Sequence, residues 1–351
     1  MKINRALALT LAAASVGASA QSSVTLFGVV DANMRYVKNS GLPSNISMNN
    51  SGLSSGRLGF RGVEDLGGGL KAGFWLESDV NADTGTMNAN GKLFARRSTV
   101  SLMGNFGEVR LGRDLTPASA HTYKYDPFGV IGVAGANVTS RIVSVAPTSA
   151  TYYRVDNMVQ YFTPNFGGLQ AELAFAPDEN AANNTGRHAA ARIAYENGPV
   201  SVSVSYGTTN VNAASDKFKQ LGLGVAYNFG VARLLAFYQR DDLPFGTYGG
   251  VVAGAEDKLL IGVTVPVGAH QIRASYVRTD SRKGSSAFNG SDANKYAIGY
   301  VHNLSVRTAL YGTATRVSNK GGANFSLSGG APGLAAGGSS TGMEVGIKHS
   351  F

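Results

Sequence analysis

Charged side chains in this chain recur inside stretches where apolar residues alternate with them. In the run SGRLGFRGVE at 55–64, Leu58 and Phe60 fall on one face of an extended strand, which turns Arg57, Gly59 and Arg61 to the other. Trp75, Glu77 and Asp79 share a face in the same way, and the adjacent pair Arg96-Arg97 opens a further alternating segment whose parity leaves open which arginine faces which side. Guanidinium and carboxylate groups on one face and apolar groups on the other suit a wall with water on one side, where they attract or repel ions. They do not form a nucleophile–base pair. The five histidines (121, 188, 270, 302 and 349) are scattered, with no HExxH or close pair in sequence, and no GxSxG elbow occurs. The run GGGLKAG at 67–73 lacks the P-loop spacing and reads as a turn entering a strand. There is no cysteine, so neither disulfides nor thiolate–metal sites are available. No catalytic residue, metal or cofactor is expected.

The elements that would carry these residues repeat with period two along the chain. Sixteen strands are predicted, at 23–37, 54–65, 70–80, 94–104, 107–115, 156–164, 168–176, 188–197, 200–209, 217–229, 231–241, 257–267, 269–280, 294–303, 305–318 and 341–351. In the last of them Met343, Val345, Ile347, His349 and Phe351 share one face. In 217–229, Leu221, Leu223, Val225, Tyr227 and Phe229 face one way, and Gly222, Gly224, Ala226 and Asn228 the other. This pattern fits a membrane barrel and a soluble sandwich equally. The connections separate them. Short Gly/Asn turns alternate with long polar breaks at 38–53, 81–93, 116–155, 177–187, 210–216, 242–256, 281–293 and 319–340, which is the asymmetry of an outer-membrane barrel. Tyr161, Tyr195, Tyr227, Tyr276 and Tyr300, near strand ends, suit interfacial girdles.

The first twenty residues stand apart. Lys2 and Arg5, the apolar run Ala6–Ala14 and Ala18-Ser19-Ala20 form a secretory signal peptide, with cleavage expected after Ala20 and a single barrel domain over 21–351. Beyond it no run of 18 apolar residues occurs, and mean hydropathy is −0.04; alternating lipid-facing and lumen-facing residues cancel in this way. The net charge of +9 is spread over the whole length without a helical stripe or stacking aromatics, which argues against a nucleic-acid partner. The break at 116–155 is far longer than an ordinary connection. It carries Tyr123, Tyr125, Phe128, Val130 and Ile131, and is expected to pack inside the barrel.

Taken together, the blocks VTLFGVVDANMRY (24–36), SGRLGFRGVEDLGGGLKAGFWLES (55–78), ARRSTVSLMGNFGEVRLGRD (95–114), YYRVDNMVQYFTPNFGGL (152–169) and the terminal VGIKHSF resemble the trimeric general porins of Gram-negative bacteria, especially their β-proteobacterial branch, over essentially all of 21–351. The resemblance implies a 16-stranded antiparallel transmembrane β-barrel, a homotrimer in outer-membrane lipid, and a third loop folded into the lumen. It also implies passive diffusion of small hydrophilic solutes. Carried over residue by residue, the constriction would have Arg57, Arg96 and Arg154 on its basic wall, and Glu77 and Asp126 as acids. Asp126 stands in a Tyr-Asp-Pro-Phe-Gly setting that departs from the Pro-Glu-Phe-Gly-Gly of enterobacterial members. Arg61, Lys124 and Arg141 would add positive charge near the lumen or on the loop, and Asp114 negative charge at the loop's start. That balance leads to an expected preference for small anions. Phe351, closing an amphipathic strand, would be the signal read by the barrel-assembly machinery.

Overall fold

The computed structural model describes residues 23–87, 91–139, 153–179, 182–248, 251–282 and 289–351. The expected signal peptide and Arg141 lie outside them. Seventeen strands form one antiparallel sheet: β1 Ser23–Asn39, β2 Ser44–Asn50, β3 Arg57–Gly67, β4 Leu70–Asp79, β5 Arg97–Gly104, β6 Gly107–Leu115, β7 Arg154–Phe162, β8 Leu169–Ala176, β9 His188–Asn197, β10 Val200–Asn210, β11 Lys217–Asn228, β12 Arg233–Tyr248, β13 Val251–Val267, β14 His270–Arg282, β15 Ala293–Asn303, β16 Thr308–Asn319 and β17 Ser339–Ser350. β1 closes the sheet by pairing with β17 along one edge and with β2 and β3 along the other.

Sixteen positions make the barrel, because β2 and β3 share one. β2 pairs with Ala32–Lys38 of β1, and β3 with Ser23–Val29. Between them residues 51–56 leave the wall. The buried Asp31 carboxylate holds this break, accepting hydrogen bonds from the backbone N–H of Gly52 (3.1 Å), Leu53 (2.9 Å) and Ser54 (2.7 Å) and from the Tyr311 hydroxyl (2.5 Å). The expected loop at 38–53 is corrected accordingly: it contains a strand, on which Ile46 and Met48 point outward. The expected break at 242–256 is corrected too, since β12 and β13 run on as a hairpin to Tyr248 and Val251. With only two outward apolar residues in seven, Ile46 and Met48, the segment 44–50 reads as polar although its alternation is that of a wall strand.

Which way the side chains point decides between barrel and sandwich. On β1, Val24, Leu26, Val30, Met34 and Tyr36 are exposed, whereas Asp31, Asn33, Arg35 and Asn39 are buried. On β17, Met343, Val345 and Ile347 are exposed and Glu344 is buried. An apolar exterior around a polar interior is the reverse of a soluble sandwich and requires lipid outside. The Leu223–Val225–Tyr227 face of β11, continued by Phe229 just past the strand, is outward as expected.

The third loop enters the interior. Its helix, α1 (Pro117–Tyr125), starts at Thr116, whose side chain caps the Ser119 N–H, with Pro117 in the first turn. A short 3-10 turn follows at Ala136–Thr139. The last loop, 320–338, also folds over: Ala323, Phe325 and Leu327 are buried with Val37, Val133, Ala293 and Val317.

Candidate pore constriction

The loop follows a track of small residues on the inner wall. Gly222 and Gly224 of β11 lie beneath His121 and Tyr125, so a Cβ on Gly222 would come within 2.8 Å of the His121 ring, and one on Gly224 would overlap Tyr125. Pro127 rests on Gly262 of β13, and Phe128 on Gly299 of β15. The small face seen in the sequence of 217–229 thus makes room for α1.

Polar anchors fix the loop on that track. His121 Nδ1 lies 2.7 Å from Ser203 Oγ, Thr122 donates to Gln239 Oε1 at 2.9 Å, and Tyr125 Oη is 3.1 Å from Ser201 Oγ. The buried Lys295 ammonium donates to the carbonyls of Ala134 and Gly135, and Glu344 accepts from the Val133 N–H at 3.3 Å. Burial holds the His121 imidazole at a pKa of about 4, so it is neutral at physiological pH. All of these anchors fall on β10 to β17. The wall from β3 to β9 carries a different set of charges.

On that wall Glu77 is the hub. It accepts from Arg96 Nε at 2.5 Å and from Trp75 Nε1 at 3.0 Å, with Arg57 Nη1 at 3.6 Å. Arg96 also donates to Asp79 at 3.0 Å, and Arg57 to Ser54 Oγ of the inward break at 3.2 Å. Arg154 turns toward the same cluster and donates from Nε to the Arg96 carbonyl at 2.8 Å. One strand further, Asp114 receives Arg110 at 2.8 Å and Arg97 at 3.3 Å, and Arg110 pairs with Glu108 at 2.9 Å. Arg192 of β9 pairs with Glu172 of β8 at 3.1 Å. The Arg97 guanidinium sits 4.5 Å from the centre of the Trp75 ring, and Arg61 stacks at 5.1 Å on the same ring and 5.4 Å from Phe27. Among the described residues no carboxylate lies in ion-pair range of Arg61.

Arg57, Arg96, Arg154 and Glu77 therefore come together, with Asp114 in the adjoining cluster. Asp126 does not join them. Only 4% exposed, it accepts from the backbone N–H of Phe128, Val130 and Ala136, each at 2.9 Å, and shapes the loop tip from within. Lys124 pairs with Glu196 of β9. Phe351 exchanges backbone hydrogen bonds with Gly28 at 3.0 and 3.1 Å, and its ring covers that glycine. Sequence parity could have added Arg110 and Arg192, since Leu111 and Ile193 beside them are outward. It could not assign the Arg96-Arg97 pair. Both face inward, because β5 begins between them and Arg96 bends back to Glu77.

Counted over the clusters around Glu77, Asp114 and Glu172, and leaving aside the Lys124–Glu196 and Arg113–Asp156 pairs, the arginines are 57, 61, 96, 97, 110, 154 and 192. The carboxylates are Glu77, Asp79, Glu108, Asp114 and Glu172: seven against five, a net charge of +2. A surplus of fixed guanidinium charge on a wet wall bounded by low-dielectric barrel raises the local concentration of anions.

Comparison with known proteins adds three findings. The model of the Gram-negative porin family matches residues 6–322. Outer membrane porin protein 32 of Delftia acidovorans is 41% identical over 356 residues, covering 98% of this chain and 99% of that one, and an outer membrane porin protein of Bordetella pertussis is 30% identical with both chains fully covered. Among solved structures, an anion-selective porin from Comamonas acidovorans superposes with a TM-score of 0.83 at 40% identity, covering 94% of this chain and 100% of that one.

Proposed function

Since the chain belongs to the Gram-negative porin family and is an outer-membrane β-barrel channel rather than an enzyme, we propose that its water-filled pore passes small hydrophilic solutes with a preference for anions, set by the arginine wall. The observation that carries this reading is the surplus of two positive charges on the wall that carries Glu77 and Asp114, where Arg61 and Arg154 add to four arginines already balanced by four carboxylates. Ion pairs with Glu77 and Asp79 hold Arg57 and Arg96 in place, so the guanidinium groups form a fixed rather than a mobile charge. Residues Arg57, Arg61, Arg96, Arg97 and Arg154 form the basic side, with Glu77, Asp79 and Asp114 tempering it. Lys124 and Arg141 of the loop belong to the same proposal; Asp126 serves the loop's shape. The anion selectivity of the Comamonas relative supports the reading.

The active assembly is proposed to be a homotrimer in outer-membrane lipid, exported with cleavage after Ala20 and inserted by machinery that reads the Phe351 end. Chemical cross-linking of membranes and N-terminal mass spectrometry test these two points directly. The selectivity is tested by the reversal potential of wild-type protein in a planar bilayer under a KCl gradient. A potential on the chloride side is expected, larger in dilute than in molar KCl, because the Debye length shrinks from about 8 Å at 0.15 M to about 3 Å at 1 M. A cation-side potential in dilute KCl would overturn the proposal.

A further inference from the structure

The five histidines lie far apart in the sequence, and the barrel brings two of them into contact. β13 passes into β14 through the two-residue turn Gly268-Ala269, which makes His270 the first residue of β14. β15 ends at Asn303, and the register sets His302 directly opposite His270. His270 shares a strand face with the exposed Ile272, and His302 with the exposed Tyr300 and Ile298, so both imidazoles stand on the outer surface. Short turns mark the periplasmic end of an outer-membrane barrel, which places the pair at the periplasmic edge of the apolar band. The pore lies on the other side of the wall.

Three polar atoms converge there. His270 Nδ1 is 3.1 Å from His302 Nδ1 and 2.5 Å from the Tyr300 hydroxyl. The His270 ring stacks against both neighbours, its centre 4.6 Å from that of His302 and 5.5 Å from that of Tyr300. Hydrogen bonding does not account for this crowding. A ring nitrogen of neutral imidazole either carries one proton or offers one lone pair, so His270 Nδ1 serves one of its two partners and leaves the other unused. A single cation between them would use all three lone pairs. With metal–nitrogen bonds of about 2.0–2.1 Å, two ligand nitrogens stand about 2.9 Å apart at a right angle and about 3.3 Å apart at the tetrahedral angle. The observed 3.1 Å falls between these limits. The torsion that turns an imidazole is broad, so each ring can aim its Nδ1 lone pair at a shared ion.

We propose that His270, His302 and Tyr300 form a surface site for a divalent transition-metal ion, with Nδ1 of each imidazole as the principal ligands, the phenol oxygen as a third and water completing the shell. Imidazole nitrogen selects ions such as Cu2+, Ni2+ and Zn2+ over Mg2+ and Ca2+, which demand oxygen. Of these, Cu2+ binds nitrogen donors most tightly. No third histidine or carboxylate joins the pair among the described residues. The ion therefore keeps positions open to water, unlike the closed four-ligand set of a structural site.

The test uses tag-free, chelator-stripped protein in detergent, its folding checked by heat-modifiable migration, titrated with CuCl2 in a calorimeter. One Cu2+ per chain is expected, with nitrogen hyperfine splitting from two imidazoles in the electron paramagnetic resonance spectrum, and no binding of MgCl2. His270→Gln and His302→Gln should each weaken binding by more than tenfold, since even a residue that only orients a metal ligand is worth about 10–100-fold. Each should also reduce the splitting to one nitrogen, whereas Tyr300→Phe should keep the two-nitrogen spectrum. His349→Gln, on the same outer face but paired with Thr308 at 2.9 Å, should bind as wild type does. No copper binding by wild type, wild-type affinity in both His270→Gln and His302→Gln, or an equal loss in His349→Gln would each overturn the proposal.

Discussion

Replacing Glu77 by glutamine removes one negative charge from the middle of the arginine wall and keeps one of its two acceptor oxygens, enough for Arg96 Nε, at 2.5 Å, but not also for Trp75 Nε1, which donates to the other oxygen at 3.0 Å. Arg96 keeps its second partner, Asp79, at 3.0 Å, so the barrel is expected to fold. For an ion passing about 6 Å away, a unit charge is worth about 0.7 kcal/mol at the dielectric constant of water. Screening with a Debye length of about 8 Å reduces this to about 0.3 kcal/mol. The change acts with opposite sign on chloride and potassium, so their permeability ratio rises about threefold in 0.15 M salt and only about 1.4-fold in molar salt. Reversal potentials of wild type and Glu77→Gln, measured on barrels checked by heat-modifiable migration, give both numbers. An unchanged or lower chloride preference in a folded variant would refute the assignment of Glu77 to the pore wall.

Three further outcomes are expected. Gly224→Leu should push Tyr125 and α1 off the wall into the passage, because even a Cβ there overlaps the ring; single-channel conductance should fall, and a wild-type value would count against this packing. Loop docking should weaken as pH falls from 6.5 toward 4: the docked His121, with its pKa lowered to about 4, refuses a proton that the undocked loop accepts. The cost approaches about 3 kcal/mol at the lower limit, so limited proteolysis of the loop should increase across this window in wild type and stay flat in His121→Gln. Deleting Phe351 removes the paired hydrogen bonds to Gly28 and should lower the yield of folded barrel in outer membranes; a normal yield would argue that assembly does not read this residue.

The barrel itself was legible because lipid on one side and water on the other impose a single rule at every second residue. Arg57 against Leu58 and Phe60, and Glu77 with Trp75, follow from that rule alone. It fails where outward apolar residues are too few to show the alternation. Ser44–Asn50 is polar enough to read as loop, yet it pairs with the upper half of β1, and Arg96 lies just before its strand, where parity has no meaning. Contacts between distant segments were also hidden. Nothing local in Asp31 announces the Tyr311 hydroxyl that meets it, and nothing in Asp-Pro-Phe-Gly announces that Asp126 serves the Ala136 N–H ten residues on. The glycines at 222 and 224 were visible as a small face, but their reason, the helix resting on them, belongs to the third dimension.

We propose that the arginine wall makes the pore prefer anions. The most direct measurement is the dilute-KCl reversal potential of the double variant Arg57→Ser/Arg154→Ser beside wild type. Wild type is expected to reverse on the chloride side, and the variant to shift toward zero with a larger conductance. A variant as chloride-selective as wild type would contradict it.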